Sequence, residues 1–320
     1  MRFSVIMPLY NKAPYVAKAI GSVLSQSFKD FELIVVDDGS KDDSSNIALQ
    51  AISGHENCRL IKQENTGVSM ARNNGVALSQ GEYLCFLDAD DWWEPVFLEE
   101  MSKFIGILPD AGIYGTNYTV VNEAKHKTRV ANIGIENGFD KGYINYCQVY
   151  AKTLIMPLSS ISVAIPRRVF DEMHGFPQGI TYGEDFILWI QIALKYKVAF
   201  LNKSLAYYNQ DVDGANRGVG RLHEPRHHML WNLDFLSQEE RTNPDYKQLV
   251  DNLRTYGLFP YFLSRAYHDD AVQELTKVDW KTQSEKVRKQ YHRPLFALRA
   301  ENRVRKLGSM GKQWLFRVLK

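Results

Sequence analysis

Three apolar runs near the N-terminus, each breaking off in polar or acidic residues, constrain this chain more than any other feature. Phe3–Met7 (FSVIM) stops at Pro8. Phe31–Val36 (FELIVV) runs into Asp37-Asp38-Gly39-Ser40, and Glu82–Leu87 (EYLCFL) runs into Asp88-Ala89-Asp90-Asp91. Segments apolar on both faces are what central strands of a parallel sheet require. Between them lie helical patterns. From Pro14, Val16, Ala19, Ile20, Val23 and Leu24 share one face, a second helix is expected from Lys41 to about Ser53, and a third, Val68–Ser79, opens at Gly67. Arg59–Gln63 reads as a short strand. This alternation predicts an α/β fold with a mostly parallel sheet flanked by helices. Such sheets bind ligands at the carboxyl ends of their strands. Asn11, Asp37/Asp38 and Asp88/Asp90/Asp91 all fall at those ends.

Beyond Asp91 the pattern predicts a helix over Glu94–Ile107, one or two strands in Ala111–Val121, a strand at Ser159–Ile165 and a short helix at Arg167–Met173. An apolar helix follows at Asp185–Lys195, then strands at Val198–Leu201 and Leu205–Tyr208. From His223 the chain reads as helical. The Gly-rich stretch Asp211–Gly220 suggests a domain over 1–220 and a helical C-terminal region over 221–320.

Composition narrows the class. With 45% hydrophobic and 24% charged residues the chain is neither disordered nor fibrous. Its 3 cysteines, Cys58, Cys85 and Cys147, form no CxxC, so a zinc cluster or disulfide framework is not expected. The apolar stretch at the N-terminus is too short for a signal-peptide core, and Thr153–Pro166 is too short and too polar to span a bilayer. A cytoplasmic location is therefore expected.

The net charge of +2 hides an asymmetry. Residues 286–320 hold 11 Lys/Arg and one acid, Glu301, for a net +10; the remainder carries 28 bases and 36 acids, for a net −8. Leu307, Met310, Trp314, Leu315, Val318 and Leu319 recur there at helical spacing among Arg303, Lys306, Lys312, Arg317 and Lys320. That pattern suits a helix on an anionic membrane surface, or one docked on its own domain. No nucleic-acid-binding module is visible, so no nucleic-acid partner is expected.

The candidate chemistry centres on Asp88-Ala89-Asp90. Two carboxylates at i and i+2 in a strand-end turn can converge on a hard cation, which then neutralises a departing diphosphate. Asp37-Asp38 can accept hydrogen bonds from a nucleotide, or Asp38 can cap the next helix. Arg72, on the helix after Gly67, can pair with a phosphate or a carboxylate. Glu184-Asp185 can complement a helix dipole or supply a general base. Trp92, Trp93 and Trp189 fit either core or sugar stacking. His223, His227 and His228 lack a metal-binding frame and read as solvated surface.

Taken in order, Ser4-Val5-Ile6-Met7-Pro8-Leu9-Tyr10-Asn11, Val35-Val36-Asp37-Asp38-Gly39-Ser40, Gly67-Val68-Ser69-Met70-Ala71-Arg72-Asn73, Leu87-Asp88-Ala89-Asp90-Asp91 and Gly183-Glu184-Asp185 resemble the inverting family 2 glycosyltransferases of GT-A fold. The resemblance covers about residues 1–210. It implies transfer from a nucleotide-sugar donor, most often a UDP-sugar, with Mn²⁺ or Mg²⁺ as cofactor. It further implies that Asp38, with Asp37 beside it, contacts the nucleobase and that the backbone at Pro8–Tyr10, with Asn11, lines the uridine pocket. Arg72 resembles the donor-contacting arginine, Asp88 approaches ribose or sugar, and Asp90 ligates the metal. Asp185 resembles the catalytic base, with Glu184 turned toward acceptor or donor.

The loop after Tyr208 departs from the family pattern, and Arg217 is its best candidate for a diphosphate contact. The processive-synthase signature QxxRW is absent. A saccharide or lipid-linked saccharide acceptor in cell-surface polysaccharide or glycolipid assembly is the expectation. Three rivals are weaker. A dehydrogenase needs GxGxxG after the first strand, where this chain has Pro8-Leu9-Tyr10-Asn11. A sugar-nucleotide pyrophosphorylase usually has a Gly-rich loop with a basic residue there. A non-catalytic nucleotide-binding module at a membrane would not need the full set of acids.

Overall fold

The computed structural model describes residues 1–122, 124, 126–211 and 222–304. Arg217 and the apolar positions from Leu307 onward lie outside the described residues. The chain divides into two compact units, the first Met1–Tyr246 and the second beginning at Lys247.

The first unit is built on one mixed sheet. Its strands are β1 (Phe3–Leu9), β2 (Phe31–Asp37), β3 (Cys58–Lys62), β4 (Tyr83–Phe86), β5 (Trp92–Trp93), β6 (Ala111–Asn122), β7 (Lys127–Val130), β8 (Lys141–Ile144), β9 (Val163–Pro166) and β10 (Lys197–Asn209). The order is β3-β2-β1-β4-β9-β6-β10-β5, with β7 on β6 and β8 on β10. β3, β2, β1 and β4 are parallel neighbours, as are β6 and β10. β9 runs antiparallel to both β4 and β6. The expected α/β architecture of a central sheet flanked by helices is present, parallel over β3-β2-β1-β4 and at β6-β10 and antiparallel where β5, β7, β8 and β9 pair.

Helices of this unit are α1 (Val16–Leu24), α2 (Ser44–Ala51), α3 (Val68–Ala77), α4 (Phe97–Ile107), α5 (Tyr146–Thr153), α6 (Arg167–Glu172), α7 (Glu184–Lys195) and α8 (Ser237–Thr242). β1, β2 and β4 are buried almost throughout, which their unbroken apolar runs require. α3 rests directly on them. A Cβ at Gly75 would lie 2.5 Å from Ile6 Cγ2 and 3.1 Å from Val36 Cγ2, so only glycine lets the helix settle this close. Arg72 sits one turn earlier, over the carboxyl ends of the strands.

Four local expectations differ from the structure. β1 does not stop at Pro8 but runs through it to Leu9. Ser160–Ser162 forms a 3₁₀ turn, so the strand there begins only at Val163. The two strands expected between Val198 and Tyr208 are one, Lys197–Asn209, with register shifts against β6 around Ser204. The polar Asn202-Lys203-Ser204 breaks the alternation without ending the strand. His223 and His228 are buried rather than solvated: both rings lie 4.9 Å from the ring of Tyr182.

The second unit continues through α9 (Pro244–Gly257), α10 (Phe259–Leu263), α11 (His268–Leu275) and α12 (Glu285–Tyr291). Buried Arg254 lies 3.8 Å from Asp251 and 3.7 Å from Glu274 there. Among the described residues no helix is long and apolar enough to cross a membrane.

Candidate active site

The site starts with the loop that leaves β1. Asn11 adopts a left-handed backbone (φ 51°), a conformation asparagine tolerates better than most residues. Its side-chain oxygen accepts from the Lys41 N–H at 2.8 Å, and its own N–H donates to Ser40 Oγ at 3.1 Å. The Ser40 N–H in turn donates to Asp37 Oδ1 at 3.0 Å. Lys12 N–H donates to Ser44 Oγ at 2.7 Å. The chain after β1 is thus clamped to the chain after β2, with Pro8 inside the strand and Tyr10 41% exposed beside it.

Asp38 does not cap α2. Its Oδ1 accepts from Gln63 Nε2 and the Thr66 N–H, both at 2.8 Å, and its Oδ2 from the Gly67 N–H at 2.9 Å. The carboxylate therefore anchors the turn that opens α3. Asp37 and Asp38 are both buried.

Arg72 is the hub. Its Nη2 donates to Asp88 at 2.8 Å and its Nη1 to Glu184 at 3.0 Å, with Ser160 Oγ 3.4 Å from Nη2. The guanidinium is almost completely enclosed. Burial works against its charge, but Asp88 first and then Glu184 more than offset this and raise its pKa. Asn73, next in sequence, holds the loop before α7. Its side chain donates to the Phe176 carbonyl and accepts from the Phe176 N–H, both at 2.9 Å.

The rest of the acidic turn is divided. Asp90, with its side chain 16% exposed, accepts from Lys12 Nζ at 2.7 Å. Burial still raises the Asp90 pKa, against the pull of Lys12, and Asp88 adds to the rise. Asp91 is buried; its Oδ1 accepts from the Asn209 N–H at 2.7 Å, tying the end of β10 to this turn. Its Oδ2 has no hydrogen-bond partner, and burial, then the charges of Asp90 and Asp88, push its pKa well above the carboxylate range.

Glu184 and Asp185 begin α7, where acids suit the helix dipole. Gly183 turns the chain into the helix with φ 81°, and a Cβ there would lie 2.3 Å from Met229 Sδ. Only glycine meets both demands. Asp185 keeps a solvent-accessible edge yet is packed among protein atoms. Burial, then the neighbouring Glu184 charge, raises its carboxyl to about 7, against the pull of Arg72. A carboxylate that titrates near neutrality can accept a proton and release it. Tyr182, just before α7, stacks on His228, which accepts from the Leu230 N–H at 3.1 Å.

The structure thus brings together Arg72, Asp88, Glu184 and Asp185, and sets Asp90 beside Lys12. Trp189 is wholly buried and Trp93 is core, stacked on Phe97. Trp92 is half-buried, between Tyr207 and Lys18. Sequence reasoning missed Lys12, Ser160 and Asn73. Lys12 had a signal: it follows Asn11 at a strand end. Ser160 had none.

Among the described residues no group of three or more His, Cys, Asp or Glu is placed to hold a metal ion. Asp90 offers one partly accessible carboxylate, and hard divalent cations commonly complete their shell with phosphate oxygens and water. The residues present fit a metal shared with a bound diphosphate rather than a cage of protein ligands.

Residues 4–172 match the sequence model of glycosyl transferase family 2. A glycosyltransferase of Streptococcus pneumoniae, GlyA, is 33% identical over 214 residues, covering 65% of this chain and 30% of that protein. The chain spans about a third of the length of the curated relatives it matches first. S. aureus TarS 1-349, solved with UDP-GlcNAc, superposes with a TM-score of 0.70 at 19% identity, covering 87% of this chain and 79% of that one. The mannosyltransferase PcManGT of Pyrobaculum calidifontis, solved with GDP-Man and Mn²⁺, gives 0.60 at 18% identity, covering 98% and 82%. At these identities the structural likeness concerns the fold.

Proposed function

Because this chain belongs to glycosyl transferase family 2, we propose that it moves a sugar from a nucleotide-sugar donor to an acceptor hydroxyl, with inversion at the anomeric carbon. The observation that carries this reading is the Arg72 bridge from Asp88 to Glu184. It sets a strand-end acidic turn against the first turn of α7, whose Asp185 titrates near 7. That juxtaposition supports the reading of a donor site beside a base.

Asp185 takes the proton from the acceptor hydroxyl. That oxygen attacks the anomeric carbon, and the bond to the nucleoside diphosphate breaks. Arg72 pairs with both Asp88 and Glu184, holding two acids close to a base. Asp90 would hold Mn²⁺ or Mg²⁺ together with the donor, and the bound metal would supply Lewis-acid stabilisation of the departing diphosphate. Asp37, Asp38, Pro8, Tyr10 and Asn11 form the rim that receives the nucleoside. A UDP-sugar is the proposed donor; the TarS complex with UDP-GlcNAc supports it, and the PcManGT complex with GDP-Man and Mn²⁺ supports a metal-bound nucleotide sugar.

We assign catalysis to residues 1–220. The acceptor is a saccharide, free or lipid-linked, in cell-surface polysaccharide or glycolipid assembly. The region 221–320, with its basic end, would hold the protein at the inner face of the cell membrane. A thermal-shift panel of UDP, GDP, CDP, TDP and NAD, with and without Mn²⁺, tests the donor. A ligand at a hundred times its dissociation constant stabilises the native state by about 2.7 kcal/mol. A Mn²⁺-dependent UDP shift is expected; a shift with NAD alone would overturn the reading.

A further inference from the structure

Both carboxylates of Asp88-Ala89-Asp90 already carry a cation from the chain itself. Asp88 has Arg72 at 2.8 Å and Asp90 has Lys12 at 2.7 Å. The two cations are held differently. The Arg72 side chain is 3% exposed and fixed by a second carboxylate, Glu184. The Lys12 side chain is 14% exposed, Asp90 is its one acid partner among the described residues, and its four-carbon stem is flexible. Arg72 is built to stay and Lys12 is able to leave.

The backbone delivers Lys12 to this place. Asn11 is held left-handed by Ser40 and Lys41, and the Lys12 N–H is fixed on Ser44 Oγ. The ammonium is therefore presented to Asp90 without a search through backbone conformations. A partly buried carboxylate without a counter-ion is costly, and two unneutralised acids beside Asp91 would be costlier. Lys12 relieves this while the site is empty. A divalent ion at Asp90 would meet an ammonium already on Oδ2, and two cations within a few ångströms on one carboxylate repel each other.

We propose that Lys12 is a resident counter-ion of Asp90 that a divalent metal must displace, so that Lys12 sets the metal affinity of the site. This rests on the reading of Asp90 as the metal-binding carboxylate. Displaced from Asp90, the ammonium is free to turn toward the anionic diphosphate that arrives with the metal. The free protein would then bind metal weakly, and metal and nucleotide would bind with positive coupling.

The test is direct titration of Mn²⁺ into the full chain, followed by the electron paramagnetic resonance signal of free Mn²⁺, with and without UDP. Lys12→Met keeps the stem and removes the charge; Lys12→Gln is the second variant if the first folds poorly, with circular dichroism as the folding check. In the absence of UDP, either variant is expected to bind Mn²⁺ at least tenfold more tightly than the parent. That gain should vanish when Asp90→Asn is added, and UDP should enhance Mn²⁺ binding less in the variant than in the parent. Unchanged or weaker Mn²⁺ binding in both Lys12 variants would overturn the proposal, as would a gain that survives Asp90→Asn. Nucleotide binding by the parent separates the two readings. If UDP binds with Mn²⁺ and the Lys12 variants change nothing, only this inference fails. If no nucleoside diphosphate binds under any condition, the proposed function fails with it.

Discussion

Arg72 and Glu184, 112 positions apart in sequence, meet as a 3.0 Å ion pair with the arginine side chain 3% exposed. The same guanidinium holds Asp88 at 2.8 Å. One cation from α3 thereby fixes the distance between the acidic turn after β4 and the start of α7.

Replacing that cation should therefore cost both stability and activity. Arg72→Met leaves two carboxylates without their partner, and breaking a buried pair by removing one member costs about 3–5 kcal/mol. Arg72→Lys can satisfy one acid but not both, because an ammonium lacks the planar fork. We expect a lower urea midpoint for both variants, smaller for Lys, and loss of transfer in both. Parental transfer rates in Arg72→Lys would show that the two-sided bridge is dispensable.

Asp185 predicts opposite trends for rate and stability. As a base it must be ionised, so transfer should rise with pH up to about 7 and then level off. For stability the folded-state pKa lies above the ordinary 3.8, so between about 4 and about 7 the native state holds a proton that the unfolded chain has released. Stability from this group therefore falls as pH rises through that window. Asp185→Asn should abolish transfer while gaining about 1–3 kcal/mol over the parent at pH 8, and little at pH 4. Urea unfolding at the two pH values measures it. An Asn variant no more stable than the parent at pH 8 would contradict the raised pKa.

His228 predicts acid sensitivity. Burial, then the charge of His223, lowers its pKa from 6.5 to about 4. In that interval the unfolded chain binds a proton the native state refuses, so stability is lost as pH falls from about 6.5 toward 4. His228→Asn keeps a short side-chain acceptor for the Leu230 N–H and removes the titration. Its stability should fall less steeply than the parent's between pH 6.5 and 4.5, read by thermal melts. Parallel curves would locate the acid sensitivity elsewhere.

Gly75→Ala tests the seat of α3. Its Cβ would meet Ile6 Cγ2 at 2.5 Å, so the helix must lift. Overpacking of this kind costs about 1–3 kcal/mol. Because Arg72 rides on the same helix, catalytic loss should exceed what unfolding explains when rates are compared well below the melting midpoint.

Much of this arrangement was legible in the sequence because strand ends are local. An apolar run that stops in Asp-Asp or Asp-Ala-Asp states both the strand and its ligand-facing end, and Asp37, Asp38, Asp88 and Asp90 lie where their runs placed them. The pairings were not legible. Arg72 reaches partners 16 and 112 positions away, and Lys12 reaches Asp90 across 78. No periodicity encodes a contact that only the strand order creates. The histidines misled for a related reason. Polar type suggests solvent, but Tyr182 offers a flat face on which two imidazoles are buried. The turn at Ser160 was hidden because serine fits strand and turn alike.

The short strand β9 has a consequence for how such a protein can vary. Its Ala164 pairs with Cys85 of β4 on one side and Tyr114 of β6 on the other. Along the path of the sheet these four residues join the parallel strands β3-β2-β1-β4 to β6 and β10. Two further ties, the Asn209 N–H on Asp91 and the pairing of Trp92–Trp93 with β10, hold the two halves together beside the acidic turn. Loops away from these ties can change in length without disturbing the register of the parallel half.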